Sequence, residues 1–324
     1  MKELLQIRDL CIGFLVQKKP VHIINHLTLD IYQNEVLSII GETGCGKSVT
    51  GSAVLHLLPD NAIASGDIFY NGQDILHRSD SAYRGLRGSE IMSVPQSPST
   101  SLNPLMRVGT QVSECILGKK HSKENTKASV RSNVMQIFRK LKFPRGDSVY
   151  DNYPCELSGG MCQRVLISMG VITHPNLLVI DEPTKAIDWA LRKDVLEILS
   201  SLKQERNCAM MLITHDIPLS RRLADRVAVM YAGEIVEVGT TADVLEHPRH
   251  PYTQGLIAST PAYGFQTMKG FMPAFTDLPA GCRFSPRCPY ATEACRTTVP
   301  HDITLEHNHV VKCIRSTELS DIGG

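Results

Sequence analysis

The sequence predicts an α/β fold in which short buried strands alternate with amphipathic helices. Apolar runs of strand length at 177–180 and 210–213 flank a helical pattern at 191–202, as expected for parallel strands buried on both faces of a sheet. A further apolar run at 35–40 leads directly into a glycine-rich loop. A chain of 324 residues, 42% of them hydrophobic, can bury a sizeable core.

Composition and charge argue against two classes of protein. The formal net charge is +1, which leaves no overall basic surface for nucleic acid. No segment has the roughly 20 apolar residues that a membrane-spanning helix needs, and residues 1–5 lack the long apolar stretch of a signal peptide. The sequence therefore predicts a chain that stays in the cytoplasm and reaches a membrane only through a partner.

The first quarter of the chain predicts strands and one helix. A tight turn is expected at Asn71-Gly72. The predicted strands are 4–12, 27–31, 35–40 and 67–70, and the predicted helix is 47–58, which Pro59 ends.

The pattern becomes helical from about residue 104 to residue 153. Within 123–141 apolar side chains recur at helical spacing, which predicts a helical subdomain. These side chains are Val130, Val134, Ile137, Phe138 and Leu141.

Strand–helix alternation returns after Ser158. Apolar runs at 227–230 and 235–238 flank Ala232-Gly233 and predict a hairpin. From residue 251 onward the tail is rich in Pro, Cys and aromatic residues with little periodicity, and we expect a small appended region there.

Residues 41–48 form a phosphate-binding motif that we call the P-loop. Their sequence, Gly41-Glu42-Thr43-Gly44-Cys45-Gly46-Lys47-Ser48, matches G-x-x-x-x-G-K-[ST] between a predicted strand and a predicted helix. Its glycines let backbone N–H groups turn toward phosphates, and the helix N-terminus adds its positive dipole end. Lys47 is expected to reach the β- and γ-phosphates and Ser48 to bind Mg²⁺. We expect the P-loop and Val49 to bind a nucleoside triphosphate.

Two acidic residues follow the apolar strand at 177–180. Asp181 at the strand end is a candidate for holding the Mg²⁺ ion, often through water. Its neighbour Glu182 is a candidate general base that polarises the attacking water. The pairing of such a strand with a P-loop favours ATP hydrolysis over an ordinary acidic turn.

A third motif narrows the class of ATPase. Leu157-Ser158-Gly159-Gly160-Met161 resembles LSGGQ, the signature of ABC ATPases, with Met161 in place of the usual Gln. Ser158 and the two glycines open a helix whose N-terminus can face a phosphate. The resemblance implies that Ser158, Gly159 and Gly160 contact ATP held by a second subunit, so that two chains enclose two ATP molecules head to tail.

Further residues follow in the order of the ABC family. Gln96, after the predicted strand 91–94, resembles the Q-loop glutamine, which implies a role in Mg²⁺ binding and in sensing the γ-phosphate and the membrane partner. Asp188 resembles the D-loop aspartate, and His215 resembles the switch histidine. Phe14 lies where these proteins often place an aromatic ring against adenine. The implied catalytic residues are Lys47, Gln96, Glu182 and His215.

The resemblance covers nearly the whole chain and implies its architecture. We expect a P-loop NTPase (RecA-like) core with an antiparallel β subdomain, a helical signature subdomain at about 97–165 and a small Cys-containing C-terminal extension. Residues 250–256 (HPYTQGL) and 281–289 (GCRFSPRCP) resemble the C-terminal region of oligopeptide, dipeptide and nickel importer ATPases. The implied domains are an ABC ATPase domain at 1–250 and a region of this importer type at 251–324.

Four of the ten cysteines form the pattern C-x5-C-x6-C-x17-C near the C-terminus. They are Cys282, Cys288, Cys295 and Cys313. This is not the short C-x2-C pair of structural zinc, whereas the cysteine spacings of iron–sulfur clusters vary. The family resemblance implies a [4Fe–4S] cluster. The alternatives are Zn²⁺ bound by Cys and one of His301, His307 or His309, and four buried reduced thiols.

The chain departs from the family pattern at two further positions. Lys185 replaces the small polar residue usually found before the D-loop alanine, and adds a positive charge that is expected near the subunit interface. Cys45 replaces the commoner Ser inside the P-loop. We expect nucleotide binding to survive this change, and we expect the thiol to be sensitive to oxidation only if it is exposed.

The resemblance implies the ATP-hydrolysing motor subunit of an ABC importer of di- or oligopeptides, with nickel or metal-chelate uptake as the alternative. The implied partners are two membrane permease subunits, a second related ATPase subunit and an extracytoplasmic solute-binding protein, at the cytoplasmic face of the cell membrane. A soluble ABC ATPase of ribosomes or DNA is less favoured, because the chain has one set of motifs and no sustained heptads. The intact Walker and switch residues argue against a non-enzymatic binding or iron–sulfur sensor module.

Overall fold

The computed structural model describes residues 2–17, 19–117, 127–143, 146–185, 189–205, 208–261 and 264–318. It divides into two compact units: Met1–Arg78 with Leu212–Gly324, and Ser79–Met211. Within the described ranges, none of the helices is both long and apolar enough to cross a membrane.

The first unit begins with an antiparallel sheet. Its order is β2-β1-β4-β5, and β1 pairs antiparallel with both β2 and β4. The predicted antiparallel subdomain is therefore confirmed, although β1 and β2 are longer than the predicted strands 4–12 and 27–31 and are exposed at the ends that face each other in the sequence. The elements are β1 (Glu3–Val16), β2 (Lys19–Tyr32), β3 (Val36–Ile40), α1 (Lys47–Val54), β4 (Ala62–Tyr70) and β5 (Gln73–Asp74).

The first helix is shorter than the predicted 47–58. It ends at Val54, and His56 follows with a left-handed backbone at φ 53°. The N–H groups of His56 and Leu57 donate to the carbonyls of Ala53 and Ser52, which is the Schellman arrangement. The prediction that Pro59 ends the helix was wrong, because these hydrogen bonds end it first.

The second unit combines two strands with the helices of the middle of the chain. β6 and β7 pair in parallel. α5 buries Val130, Val134 and Phe138, which confirms the predicted helical spacing, while residues 123–126 lie outside the described residues. The elements are α2 (Asp80–Tyr83), β6 (Ile91–Val94), α3 (Pro98–Ser101), α4 (Val108–Leu117), α5 (Lys127–Lys140), α6 (Gly146–Tyr150), α7 (Gly159–Val171), β7 (Leu177–Asp181) and α8 (Trp189–Gln204).

The boundary between the units falls within β8 (Ala209–Thr214). After β8 come α9 (Ile217–Leu223), β9 (Arg226–Tyr231), β10 (Glu234–Thr240), α10 (Thr241–Glu246), α11 (Pro251–Ala258), α12 (Glu293–Thr297), β11 (Ile303–Thr304) and β12 (Val310–Val311). In the first unit the strands follow the order β11-β12-β10-β9-β3-β8, and in the second unit β8 is followed by β7 and β6. β3 pairs in parallel with β9, and every residue of β3 and β8 is buried, as the apolar runs predict.

The predicted tight turn and the predicted hairpin are both confirmed, and both are hairpin turns. Asn71 and Gly72 join β4 to β5 with φ values of 49° and 75°, and Ala232 and Gly233 join β9 to β10 with φ values of 45° and 85°. Positive φ at both central residues is the requirement of a type I′ turn, whose twist matches that of the flanking strands.

The C-terminal tail contributes to the sheet itself. β12 pairs antiparallel with β10, with Val311 opposite Glu237 and Val310 opposite Val238. β11 then pairs with β12. Each of these strands has two residues, which is too short for a periodicity to predict from the sequence.

An aromatic cluster packs the tail against β9. The ring of Tyr231 lies 4.6 Å from that of Tyr252 and 5.3 Å from that of Phe284 between ring centroids. His250, which caps α11 by accepting from the Tyr252 N–H, is also buried. Burial lowers the pKa of His250 to about 3, so this side chain is neutral at physiological pH.

Candidate nucleotide-binding site

The glycines of the P-loop occupy backbone positions that larger residues could not adopt. Gly41, Gly44 and Gly46 have φ values of 157°, 85° and 115°. A Cβ atom on Gly41 would lie 2.2 Å from the Met230 carbonyl oxygen, and one on Gly46 would lie 2.7 Å from Ile24 Cδ1. The loop is therefore in close backbone contact with β9 and packs on β2.

Lys47 is held on the inside of the P-loop. Its Nζ atom donates to the carbonyl oxygens of Gly41 at 2.8 Å and Glu42 at 2.9 Å, and the residue is 6% exposed. Lys47 is also the first residue of α1, and Ser48 lies exposed next to it. The ammonium group and the first turn of the helix thus meet at one place, which is the arrangement that binds phosphate.

Cys45 faces the protein interior. Its side chain is fully buried, and burial raises the pKa of its thiol. Its carbonyl accepts from the Gly233 N–H at 2.9 Å, so the hairpin between β9 and β10 supports the loop. A buried, protonated thiol is a poor target for oxidants and alkylating reagents.

Glu42 connects the P-loop to the C-terminal tail. Its carboxylate accepts two hydrogen bonds from the Arg287 guanidinium, at 2.9 and 3.0 Å. Its backbone N–H donates to the Tyr252 hydroxyl at 2.8 Å. Sequence reasoning missed Arg287 and Tyr252 as neighbours of the loop, because each is more than 200 positions away from Glu42.

Phe14 lies half-buried near the end of β1. It is paired with Val21 of β2 and with Ala62 of β4. Ile24, three positions beyond Val21 on β2, is the residue that packs near Gly46. The aromatic ring thus belongs to the same sheet that supports the P-loop, and its contact with adenine stays a prediction.

In the second unit, three of the predicted residues lie at the carboxyl ends of adjacent parallel strands. Val94 of β6 is in register with Ile180 of β7. Gln96 follows β6, while Asp181 ends β7 and Glu182 comes next. Since the carboxyl ends of parallel strands share one edge of a sheet, these side chains start from the same edge.

Glu182 has an unfavourable backbone conformation. Its φ is +46°, in the left-handed region, and the residue is only 7% exposed. A non-glycine residue in this region costs of order 1–3 kcal/mol, and such residues cluster at functional sites. The buried carboxylate and the strain are both consistent with the predicted general base.

The predicted signature segment opens a helix, as expected. Ser158 is the N-cap of α7, and its Oγ atom accepts from the Met161 N–H at 3.3 Å. Ser158 and Gly159 are exposed, and a Cβ atom on Gly159 would meet nothing within 4 Å. The serine and glycine at the start of α7 are therefore accessible to another molecule.

Of the three remaining predicted residues, two lie in the described part of the chain. His215 is exposed and directly follows β8, the neighbour of β3 in the sheet. Lys185 is also exposed, and its N–H donates to the Glu182 carbonyl at 3.1 Å. Asp188 lies outside the described residues.

The four C-terminal cysteines line one cavity together with His250 and Phe284. All four are free thiols. Burial raises the pKa of Cys282 to about 11 and also raises those of Cys288 and Cys313, with the neighbouring thiols adding to the effect. The cavity thus contains thiols that a bound metal would deprotonate.

Three or more of these sulfurs do not form a preassembled site for a single zinc ion in the described part of the chain. Sulfurs bound to one tetrahedral Zn²⁺ at about 2.3 Å lie about 3.8 Å apart. Among the described residues, no three of the four sulfurs approach within 4.8 Å of one another. None of His301, His307 and His309 lines the cavity. The Nε2 atom of His309 is instead hydrogen-bonded to Oε1 of Glu237 at 2.8 Å.

Comparison with known proteins defines the class. The family model described as ABC transporter matches residues 24–185, and the model described as oligopeptide/dipeptide transporter, C-terminal region, matches residues 236–295. The chain belongs to the ABC transporter family, and it is an ATPase coupled to transport.

Within this family, its similarity is to ATP-binding subunits of peptide transporters. The dipeptide transport ATP-binding protein DppD of Escherichia coli strain K12 is 38% identical over 317 residues, which cover 96% of each chain. The protein of the same name from Bacillus subtilis strain 168 is 35% identical over 320 residues, 97% of this chain and 95% of the relative. The oligopeptide transport ATP-binding protein OppD of E. coli K12 is 37% identical over 302 residues, 92% of this chain and 89% of the relative.

Solved structures agree on the fold. The dimeric structure of the ATP-binding cassette MJ0796 bound to ADP and Pi matches with a TM-score of 0.66 and 21% identity, covering 74% of this chain and 99% of that one. CbiO1 from Clostridium perfringens matches with a TM-score of 0.62 and 22% identity, covering 76% and 92%. The predicted P-loop NTPase core is thereby confirmed.

The close backbone contact at Gly41 yields a testable prediction. Gly41→Ala forces a Cβ atom against the Met230 carbonyl and should cost about 1–3 kcal/mol of folding free energy, together with nucleotide binding. Gly85→Ala is the matched control, since its Cβ would make only an ordinary contact at 3.8 Å. Thermal unfolding and fluorescent-nucleotide titration of both variants measure the effect. Equal behaviour of the two variants would contradict the tight packing of the P-loop.

Proposed function

We propose that this chain is one ATPase subunit of a peptide importer, peripheral to the cytoplasmic face of the cell membrane. It pairs with a second, related ATPase chain and drives two membrane permease subunits, to which an extracytoplasmic solute-binding protein delivers di- or oligopeptides. The observation that carries this proposal is the combination of a formed P-loop with an exposed, serine-capped signature helix. A P-loop alone would support nucleotide binding, whereas the exposed helix start suits a phosphate held by a second nucleotide-bearing chain.

The P-loop binds the triphosphate in this proposal. Lys47 exchanges the carbonyl oxygens of Gly41 and Glu42 for the β- and γ-phosphates, while N–H groups from the P-loop to Val49 surround the phosphates. Phe14 stacks on the adenine. The oxygen-bearing side chains of Ser48, Gln96 and Asp181 suit a hard cation and would hold Mg²⁺, which would neutralise phosphate charge when bound.

Glu182 acts as the general base of hydrolysis. It takes a proton from the attacking water, while His215 donates to the γ-phosphate and stabilises the charge that develops there. Gln96 reports the presence of the γ-phosphate to the membrane subunit. These roles follow the order of the family motifs, and the burial and strain of Glu182 support its assignment.

The signature helix closes the site of the opposite subunit. Ser158 Oγ already accepts from Met161, so its hydroxyl hydrogen is available to donate to a phosphate oxygen. Gly159 and Gly160 allow the partner's nucleotide to approach the backbone, and Asp188 of the D-loop contacts the partner. Lys185, exposed beside that segment, favours an acidic surface on the second ATPase.

Closure of the two ATPase chains on ATP and their reopening after hydrolysis switch the permease subunits between two orientations. Contacts with the γ-phosphate favour the closed state, and their loss on hydrolysis favours the open state, as in other nucleotide switches. The proposed organisation is an ABC ATPase domain at 1–250, with its helical subdomain at about 97–165, and an importer-type region at 251–324.

Peptides are the proposed cargo because DppD and OppD are named as dipeptide and oligopeptide transport ATP-binding proteins. Nickel or a nickel chelate is the alternative cargo. The ATPase itself does not contact the cargo, so its site residues cannot distinguish the two.

We further propose that Cys282, Cys288, Cys295 and Cys313 bind a [4Fe–4S] cluster. The support for this proposal is their common cavity, which none of His301, His307 and His309 lines, as a zinc site of Cys and His would require. The cluster would cross-link distant segments of the tail. ATP hydrolysis itself requires no iron.

Proteoliposomes that contain the whole complex with the wild-type chain should take up radiolabelled dipeptide when ATP is present. They should take up ⁶³Ni²⁺ only if nickel is the cargo.

The catalytic assignment predicts a clear separation of ATP binding from ATP hydrolysis. Glu182→Gln should bind ATP with wild-type affinity and lower turnover at its site about 100-fold or more. Unchanged hydrolysis by this variant would overturn the assignment of Glu182.

The cluster assignment predicts a brown protein when the chain is purified without oxygen. Iron and sulfide should approach four of each per chain, with a broad charge-transfer absorption band. Cys288→Ser should lose most of the iron, while Cys155→Ser, at an exposed cysteine outside the cavity, should retain it. Stoichiometric zinc or a colourless, metal-free protein would contradict the cluster.

A further inference from the structure

Glu42 is an acidic residue in a loop that binds a highly negative ligand. Like charges in a partly buried site repel strongly, because water screens them less than at the surface. An uncompensated negative charge on Glu42 would therefore lower the affinity of the P-loop for a triphosphate. The compensating group comes from the C-terminal tail.

Arg287 pairs with Glu42 through both of its terminal nitrogen atoms. The two hydrogen bonds, at 2.9 and 3.0 Å, are the bidentate geometry in which an arginine neutralises a carboxylate best. The Arg287 side chain is 5% exposed and that of Glu42 is 27% exposed. This pair is thus more strongly coupled than an ordinary surface salt bridge.

The guanidinium of Arg287 is held in place by its surroundings. It lies 5.7 Å from the ring centroid of Tyr231 and 5.8 Å from that of Phe284. Its Nε atom donates to the Lys269 carbonyl at 3.2 Å. The aromatic faces and the carbonyl fix the side chain before any nucleotide binds, so little entropy is lost when it holds Glu42.

The position of Arg287 is set by the cysteine-containing turn. The Arg287 and Cys288 N–H groups both donate to the Phe284 carbonyl, and the Ser285 N–H donates to the Cys282 carbonyl. Arg287 therefore lies inside the short turn that joins two of the four cavity cysteines. Whatever fixes Cys282 and Cys288 also fixes the cation that pairs with the P-loop.

We propose that Arg287 is a positioning residue for the ATP site: it holds and neutralises the Glu42 carboxylate beside the bound phosphates, so that the cysteine-containing turn sets the affinity for ATP. The Tyr252 hydroxyl, which accepts from the Glu42 N–H, fixes the same residue from the backbone side. The inference rests on ATP binding at the P-loop. It assigns the C-terminal tail a function in the nucleotide site of its own chain.

A charge role differs from a purely structural one in a measurable way. If Arg287 only fastens the tail, its loss should lower thermal stability, and no change at Glu42 should repair ATP binding. If it compensates the carboxylate, removing that charge should restore the affinity, because the repulsion disappears with it. Gln is the suitable replacement, since it keeps the size of Glu42 and loses its charge.

The experiment measures ATP affinity and thermal unfolding of the full chain, purified without oxygen, by titration with a fluorescent ATP analogue and competition with ATP. We expect Arg287→Met to weaken ATP binding about tenfold. Arg287→Lys should retain part of the affinity because it keeps the charge. The double variant Glu42→Gln/Arg287→Met should return to within about threefold of wild type, a difference of about 0.65 kcal/mol.

Arg296→Met is the matched control. Arg296 also neighbours a cavity cysteine, Cys295, but its partner is the exposed Glu293 at 4.0 Å rather than the P-loop. Its variant should bind ATP as the wild type does. Wild-type affinity in Arg287→Met, or a loss that Glu42→Gln fails to rescue, would overturn the inference. A wild-type chain that binds no ATP would instead refute the nucleotide site itself.

Discussion

The close packing of the P-loop on β9 is the constraint on which the rest of the structure depends. Gly41 lies so near the Met230 carbonyl that a methyl group has no room, and the Lys47 ammonium group donates to the Gly41 carbonyl. This geometry needs β3 and β9 in parallel register beside each other, which places the buried sheet directly behind the loop. A cation and a helix start are thereby held in place before a phosphate binds, so binding requires little rearrangement.

The hairpin after β9 extends that constraint to the antiparallel sheet. The Gly233 N–H donates to the Cys45 carbonyl, and the Asn25 N–H donates to the Gly233 carbonyl. A Cβ atom on Gly233 would lie 2.0 Å from the Ile23 carbonyl oxygen, so this turn also tolerates only glycine. The antiparallel sheet, the hairpin and the P-loop are therefore one packed assembly, with the aromatic cluster of the tail on the adjoining strand β9.

Much of this arrangement is visible in the sequence, because its signals are local. Apolar runs predict the buried strands, and fixed spacings in the P-loop and at Ser158–Met161 predict the positions of the site residues. The sequence predicts that α1 continues to residue 58, whereas it ends at Val54. The hydrogen bonds at His56 that end it have no sequence signal as strong as the proline at position 59. The strands β11 and β12 and the pair of Glu42 with Arg287, 245 positions apart, depend on tertiary contacts that no local pattern contains. The same holds for the common cavity of the cysteines, whose spacing alone left zinc and free thiols open.

If this P-loop binds the ATP that energises transport, hydrolysis should depend on the Lys47 ammonium group that it encloses. The most direct test is the rate of ATP hydrolysis by the assembled complex when this chain carries Lys47→Ala, with the partner ATPase unchanged. Removing the ammonium group takes away a charge that stabilises the transferred phosphate, so we expect turnover at this site to fall about 100-fold and ATP binding to become much weaker. Wild-type turnover and wild-type ATP affinity in that complex would show that this P-loop does not bind the ATP that energises transport.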